Sequence, residues 1–285
     1  MSFEKWLIGA RIKTLPAAVS PVLIGTALAG VDRNWQRALL ALVVSLSLQI
    51  AVNFANDYSD GIRGSDEERV GPTRLVASGL ATADSVKRAA QICFLVAAIA
   101  GGILAIQTSY WLILVGLIAI TAAWFYTGGT NPYGYLGFGE ISVFIFFGLV
   151  ATMGTFYVQS EKITLLSFIA ALPMGSLSCA ILMVNNLRDR ETDELVGKRT
   201  LAVRIGDRAS RRTFIALILL AHFAALATLT PLAVFTLLVT PLSFDVVRKV
   251  RRVTERGDFI PLLGKVGQLQ LLFALFLSAA LWLSL

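Results

Sequence analysis

Val52-Asn-Phe-Ala-Asn-Asp-Tyr-Ser-Asp60 closes a long apolar run and carries two asparagines and two aspartates. Carboxylates at that depth are costly unless something cationic meets them. A related stretch, Val184-Asn-Asn-Leu-Arg-Asp-Arg-Glu-Thr-Asp193, closes another apolar run. The pairing predicts that the two stretches face each other and build one site.

The runs leading into them decide the fold class. The chain has 285 residues and is 56% hydrophobic, above the roughly 45–50% of a soluble domain. Apolar blocks of roughly 17–23 residues recur along it, each long enough to cross a bilayer. This predicts an all-α, polytopic integral membrane protein with about nine transmembrane helices around a central cavity. The spans are expected near 14–30, 37–55, 87–106, 110–126, 137–157, 164–184, 213–229, 231–247 and 266–285. Met1 to Lys13 is polar and basic and is not expected to be a cleavable leader. Cys93 and Cys179 lie inside apolar runs and read as packing residues, not as a disulfide or a metal pair. His222, the single histidine, reads as a hydrogen-bonded packing residue.

The net charge of +7 would point toward nucleic acid in a soluble protein, but here its location matters more than its sum. With the N-terminus inside, 22 of the 25 basic residues fall in inner segments, and only Arg33, Arg37 and Lys162 fall outside. Cytoplasmic loops carry such an excess of Lys and Arg. The expectation is a multi-pass protein of the cell (inner or plasma) membrane. Its N-terminus and long loops would be cytoplasmic and its C-terminus outside. Segments 56–86 and 185–212 are the long inner ones, and both begin with the acid-bearing stretches. Long polar loops on one face point to chemistry there.

An internal echo supports the pairing. Asp57 follows Asn53 as Asp189 follows Asn185, four residues on. Val70-Gly-Pro-Thr-Arg-Leu75 resembles Val196-Gly-Lys-Arg-Thr-Leu201. The expectation is one membrane-embedded domain, 1–285, with two related halves of about 1–135 and 136–285; repeats of this kind are a known membrane architecture.

Asp57 and Asp60 are three residues apart and Asp189 and Asp193 four, so each pair shares one face of a helix. Asp66 lies further out in the first loop. Carboxylates converging without a cation repel one another. A hard divalent ion bound through oxygen is the natural partner, and Mg2+ suits it, keeping waters and taking phosphate oxygens. No histidine or cysteine lies near either stretch, which argues against zinc. Arg63, Arg69, Arg74, Arg188, Lys198 and Arg199 are interleaved with the acids, and such donors suit phosphate. Acids and bases beside a membrane cavity read as a Mg2+–pyrophosphate site for an amphiphile with an apolar tail.

At these residues the sequence resembles the UbiA superfamily of intramembrane aromatic prenyltransferases. The matching motifs are Asn56-Asp57-Tyr-Ser-Asp60 and Asp189-Arg-Glu-Thr-Asp193. Arg11-Ile-Lys-Thr-Leu-Pro16, Arg69-Val-Gly-Pro-Thr-Arg74 and Gly197-Lys-Arg-Thr200 are similar to the branch that prenylates 1,4-dihydroxy-2-naphthoate. Gly64 stands where the ubiquinone branch usually has a further acid, and Asp66 follows instead. The resemblance implies two Mg2+ ions on Asp57, Asp60, Asp189 and Asp193, with Asp66 either a further ligand or a neighbour. It implies a polyprenyl diphosphate donor held by Arg63, Arg74 and Lys198, and an aromatic acceptor that loses its carboxylate to give demethylmenaquinone. Asn53 and Tyr126 are carried over as groups near the developing allylic cation; a helix-end hydrogen bond and an interfacial anchor are their plainer readings. The uncharged segment Tyr126-Thr-Gly-Gly-Thr-Asn-Pro-Tyr133 reads as the acceptor mouth or a turn. Glu140 is an intramembrane acid, for which a functional role is the default.

Two other readings compete. Another acceptor, such as 4-hydroxybenzoate, would keep the same diphosphate site. A transporter for a cation or an anionic lipid would place charges deep in several spans, and the mid-span regions here are almost free of them.

Overall fold

A lipid core offers no hydrogen-bond partner, so apolar segments that enter it must satisfy their own backbone, as helices do. The computed structural model describes residues 3–64, 71 and 73–285, and among these residues there is no strand. Helices α1 (Phe3–Ala10) and α2 (Pro16–Ala27) are followed by α3 (Trp35–Ile62), α4 (Ala83–Gln107) and α5 (Trp111–Phe125). Then come α6 (Gly139–Ser160), α7 (Leu165–Leu195), α8 (Leu201–Leu226), α9 (Pro231–Arg252) and α10 (Phe259–Ser284).

Local chemistry sets many of the boundaries. Asn34 caps α3, its side chain accepting from the N–H groups of Gln36 and Arg37. Thr82 caps α4, and Thr164 with Ser167 forms a reciprocal capping box at α7. Arg11 takes a left-handed conformation (φ 51°) where α1 ends, and Pro16 opens α2. The two arms, Glu4–Thr14 and Pro16–Ala27, are bent by 55°.

Among the described residues, seven helices are long and apolar enough to cross a membrane, or eight with the bent pair. The shorter apolar helix α5 lies where the fourth span is expected. The exposed apolar side chains fit a lipid surround: Ile92, Leu95 and Ile99 on α4, Leu117 on α5, and Leu219 and Phe223 on α8 are all exposed.

The structure differs from the sequence expectation at two helix ends. The second and sixth spans do not stop near 55 and 184; α3 runs to Ile62 and α7 to Leu195. The acid-bearing stretches are therefore helical, not the beginnings of loops. Each pair of acids shares a rigid face because of it.

Packing sorts the helices into two main clusters. Phe54, Ala55, Val86, Ala90 and Phe94 join α3 to α4, with Leu75 of the following loop packed among them. Ile24, Met174, Leu177, Phe214, Phe273 and Leu277 join α2, α7, α8 and α10. α2 thus belongs by packing with the later helices. Helix α6 contains a π-helical segment at Phe144–Val150. A Cβ on Gly148 there would lie 2.4 Å from the Cα of Gly175, so α6 and α7 touch backbone to backbone. At the end of the bundle opposite the acids, Arg37 donates to the carbonyls of Gln107 and Val158, fastening the ends of α4 and α6 to the start of α3.

The cysteines are both free, and Cys179 donates its thiol to the Glu140 carbonyl. His222 bonds the Ser243 hydroxyl at 2.9 Å and meets Phe273 edge to face, the packing role expected of it.

Candidate active site

The four acids do not behave as four equal ligands. Asp57 is fully buried, and its two oxygens accept the backbone N–H groups of Leu75 (2.8 Å) and Val76 (3.0 Å). It therefore holds the loop that follows α3 against the end of α3. Asp189 is gripped by its chain neighbour: Arg188 donates through Nε and a terminal nitrogen, both at 2.7 Å. Such two-point contacts fix geometry as well as charge. Arg188 is 1% exposed, and a buried guanidinium is tolerable only when paired in this way.

Asp60 and Asp193 are the acids that meet. Lys198 places its ammonium 3.1 Å from Asp60 and 4.0 Å from Asp193. Its backbone N–H also donates to the Asp193 carbonyl at 2.8 Å. Burial acts to lower the pKa of this lysine, but Asp60, Tyr135 and Asp193 outweigh it and hold the value above that of an ordinary lysine. The ammonium is accordingly charged at neutral pH. Arg74, also buried, reaches the other oxygen of Asp60 at 3.6 Å.

The remaining expected residues separate in the same manner. Arg63 donates to the carbonyls of Thr127 (2.5 Å) and Gly129, so it fastens the α5–α6 linker. Arg199 has an exposed side chain, and it is its backbone N–H that bonds the Tyr135 carbonyl, at 2.8 Å. Asn53 is buried and donates to the Ala10 carbonyl (2.9 Å) and the Thr14 hydroxyl (3.0 Å). It ties the break between α1 and α2 to α3 from well inside that helix, not from its end. Asp66 and Arg69 lie outside the described residues.

A cavity of about 380 Å3 begins beside these groups, and helices α2 to α7 all contribute to its wall. Asn53, Asn56, Tyr126 and Asn185 line its polar end, while Leu104, Leu112 and Val158 line it further along. Lining residues on α3 run from Ala41 to Asn56, a length of about 22 Å at 1.5 Å per residue. Tyr126 stands at the polar end, its ring edge to face with Tyr133 at 5.5 Å. Glu140 is buried beside a smaller apolar pocket, accepting from Asn186 at 2.8 Å.

Three participants escaped the sequence reading. Tyr135 donates its hydroxyl to Asp60 at 2.6 Å and carries Lys198 over its ring at 4.6 Å. Arg11, at the left-handed break, lines the cavity. Arg256, which the sequence groups with the basic topology signals of the last inner loop, donates to the Arg188 carbonyl and the Thr192 hydroxyl. Arg11 opens the motif Arg11-Ile-Lys-Thr-Leu-Pro16 but carries no signal of its place at the cavity, and Tyr135 and Arg256 carry no motif. Gln49, four residues before Asn53 and bonded to it at 3.3 Å, has a helical spacing that points to its partner.

Whether this set fits a divalent cation follows from its donors. Among the described residues no three His, Cys, Asp or Glu side chains converge into a metal cluster. Like charges avoid such convergence unless a cation is present, and here each acid has taken a protein donor instead. Asp60 and Asp193, drawn to one ammonium, supply the hard oxygen ligands a divalent ion takes. Asp57 and Asp189 stand nearby on the same two helices and as placed hold protein groups.

The fold and the site together define a polytopic membrane protein with a charged cleft at one end of an apolar cavity, suited to an amphiphile with an anionic head. The UbiA prenyltransferase family matches residues 18–260, and the chain belongs to that family. It is 46% identical to the 1,4-dihydroxy-2-naphthoate octaprenyltransferase of Mycobacterium tuberculosis, over 98% of this chain and 97% of that protein. It is 35% identical to the Escherichia coli protein of the same name, over 99% of this chain and 96% of that one. A solved UbiA homologue from Archaeoglobus fulgidus, bound to DMAPP and Mg2+, superposes with a TM-score of 0.71 at 14% identity, covering 99% of this chain and all of that one. The apo UbiA homologue from Aeropyrum pernix gives 0.73 at 14% identity, covering 95% and 97%.

Proposed function

We propose that the chain transfers a polyprenyl group from polyprenyl diphosphate to 1,4-dihydroxy-2-naphthoate, the prenylation step of menaquinone biosynthesis. The observation that carries this reading is Lys198, buried between Asp60 and Asp193, with an apolar cavity whose wall includes Asn56 and Asn185 of the same two acid-bearing helices. The name shared by the 46% and 35% identical relatives supports the naphthoate acceptor over 4-hydroxybenzoate.

The diphosphate head sits among Lys198, Arg74 and the acids, and the tail follows the cavity along α3. Mg2+, held by Asp60 and Asp193 and joined by Asp57 and Asp189, would neutralise the diphosphate and make it a better leaving group. Lys198 and Arg74 stabilise negative charge as the C1–O bond breaks. Tyr126 and Asn56, at the polar end of the cavity, flank the allylic carbon as it becomes electron-poor. The ring carbon that bears the carboxylate attacks C1 as diphosphate leaves with the C1–O electron pair. CO2 then leaves with its bonding electrons retained by the ring, giving a prenylated naphthohydroquinone, the reduced form of demethylmenaquinone. The apolar lining of the cavity keeps water from intercepting the cation.

The distribution of basic residues supports an orientation with the site end toward the cytoplasm, in the plasma or inner membrane, and the C-terminus outside. The echo of the α3 and α7 motifs supports a chain of two related halves. A transporter would place charged groups deep in several spans, and the mid-span regions of this sequence are almost free of them.

The test is direct. Purified protein is incubated with labelled polyprenyl diphosphate, Mg2+ and dihydroxynaphthoate. Demethylmenaquinone is expected. Product with hydroxybenzoate alone would reassign the acceptor, and no product with any aromatic acceptor would end the enzyme reading.

A further inference from the structure

The linker between α5 and α6 carries no charge, yet it is fastened to both acid-bearing helix ends. On the α3 side, Arg63 holds its Thr127 and Gly129 carbonyls, and the Thr127 hydroxyl donates to Asn56 at 2.8 Å. On the α7 side, the N–H of Arg199 donates to the Tyr135 carbonyl. Tyr135 sits in the short 3-10 turn Tyr133–Leu136, which ends at Gly137 with φ +83°. A Cβ on Gly137 would meet the Arg204 side chain at 2.8 Å and the Arg199 carbonyl at 3.1 Å. The turn is therefore pressed against the segment that carries Lys198, and few residues other than glycine would allow it.

Within this strap Tyr135 touches both sides at once. Its hydroxyl donates to the same Asp60 oxygen that takes Lys198. Its ring face lies 4.6 Å from the Lys198 ammonium and 5.5 Å from the Arg63 guanidinium. Cations over an aromatic face are attracted by its quadrupole. One side chain thus orients an acid from α3 and a base from beyond α7.

We infer that Tyr135 is a positioning residue for the cation–diphosphate site: its hydroxyl orients Asp60 toward the divalent cation, and its ring holds Lys198 toward the diphosphate. The two roles are separable because they use different parts of the side chain. The inference rests on the proposed function, since it assigns those two ligands to Asp60 and Lys198.

Two variants separate the roles. Tyr135→Phe keeps the ring and removes the hydroxyl. Loss of a partner that orients a metal-binding carboxylate typically weakens metal affinity by about 10–100-fold. For Tyr135→Phe the half-saturating Mg2+ concentration should rise at least about tenfold, with a far smaller change in kcat at saturating Mg2+ and in the KM for polyprenyl diphosphate. Tyr135→Leu removes the ring as well, and the KM for the diphosphate should then rise too. A readout free of turnover accompanies these: Mn2+ binding to purified protein in detergent, followed by electron paramagnetic resonance. Wild type should bind more tightly than Tyr135→Phe. Equal Mn2+ affinity and an unchanged Mg2+ dependence in Tyr135→Phe would overturn the inference while leaving the prenyl-transfer reading intact. Failure of wild type to make any prenylated product would instead remove the functional reading, and the Mn2+ titration would still decide whether the hydroxyl orients Asp60. Should Tyr135→Leu not fold, Tyr135→Phe, which preserves the packed ring, carries the test.

Discussion

The end of α3 and the end of α7 carry acids at nearly the same spacing, and they are built differently. At α3 the first acid, Asp57, accepts two backbone N–H groups and so organises its own loop. At α7 the first acid, Asp189, is organised by the side chain beside it, and Arg256 reaches over from beyond α9 to bond the Arg188 carbonyl. The second acids, Asp60 and Asp193, are alike, because both turn to Lys198. The difference teaches a division of labour: one acid of each pair secures its own helix end, and the other faces the partner end.

The largest expected effect tests the second acids. Asp60→Asn and Asp193→Asn should each lower turnover by roughly 10²–10³-fold. Initial rates in detergent would show it, and near-normal turnover in either would return that acid to a purely structural role.

Lys198→Gln comes next and probes the bridge itself. Because the folded-state pKa of Lys198 is raised, the stability from its contacts is complete below the ordinary lysine value of about 10.4. It fades only as pH climbs through the higher folded value. The stability gap between wild type and Lys198→Gln should therefore stay constant from about pH 6 to pH 9. A gap that closes within that window would mean a titrating group other than this ammonium.

Asp57→Ala should cost stability through the loop after α3 as well as turnover. Two buried N–H groups lose a charged acceptor, at about 1–3 kcal/mol each. Denaturant unfolding would measure the loss, and an unchanged midpoint would show that Asp57 does not secure the loop.

Arg256→Ala should have the smallest effect and only on the α7 side. Losing its bonds to Arg188 and Thr192 should cost about 1–2 kcal/mol and reduce turnover by a small factor. A variant as inactive as Asp193→Asn would show Arg256 to be part of the chemistry.

The all-helical membrane fold, with a span count close to the nine expected, and both acid motifs were legible in the sequence, because hydropathy and charge report those features directly. The division between Asp57 and Asp60 was not. Spacing puts both on one helical face, but which acid meets a loop amide and which meets Lys198 depends on how residues 73–81 fold back. Asn53 shows the same limit: its neighbours Ala10 and Thr14 are about forty positions away in the chain. Tyr135 was hidden for another reason. A tyrosine in an uncharged, Gly-rich linker carries no periodicity and no charge pattern, and its importance comes only from where α5 and α6 deliver it.

Helix α5, with its 15 residues, has one more consequence. At 1.5 Å per residue it is about 22 Å long, against a hydrocarbon thickness of about 30 Å. The bundle therefore has one shallow flank, and it is a flank that lines the cavity through residues such as Gly116 and Ile120. Hydrophobic mismatch of this kind thins the adjoining bilayer or draws flanking polar segments into it. Lipid-borne reactants spread in two dimensions, and a bilayer thinned beside this flank would bring their headgroups closer in depth to Asn56 and Tyr126 at the polar end of the cavity.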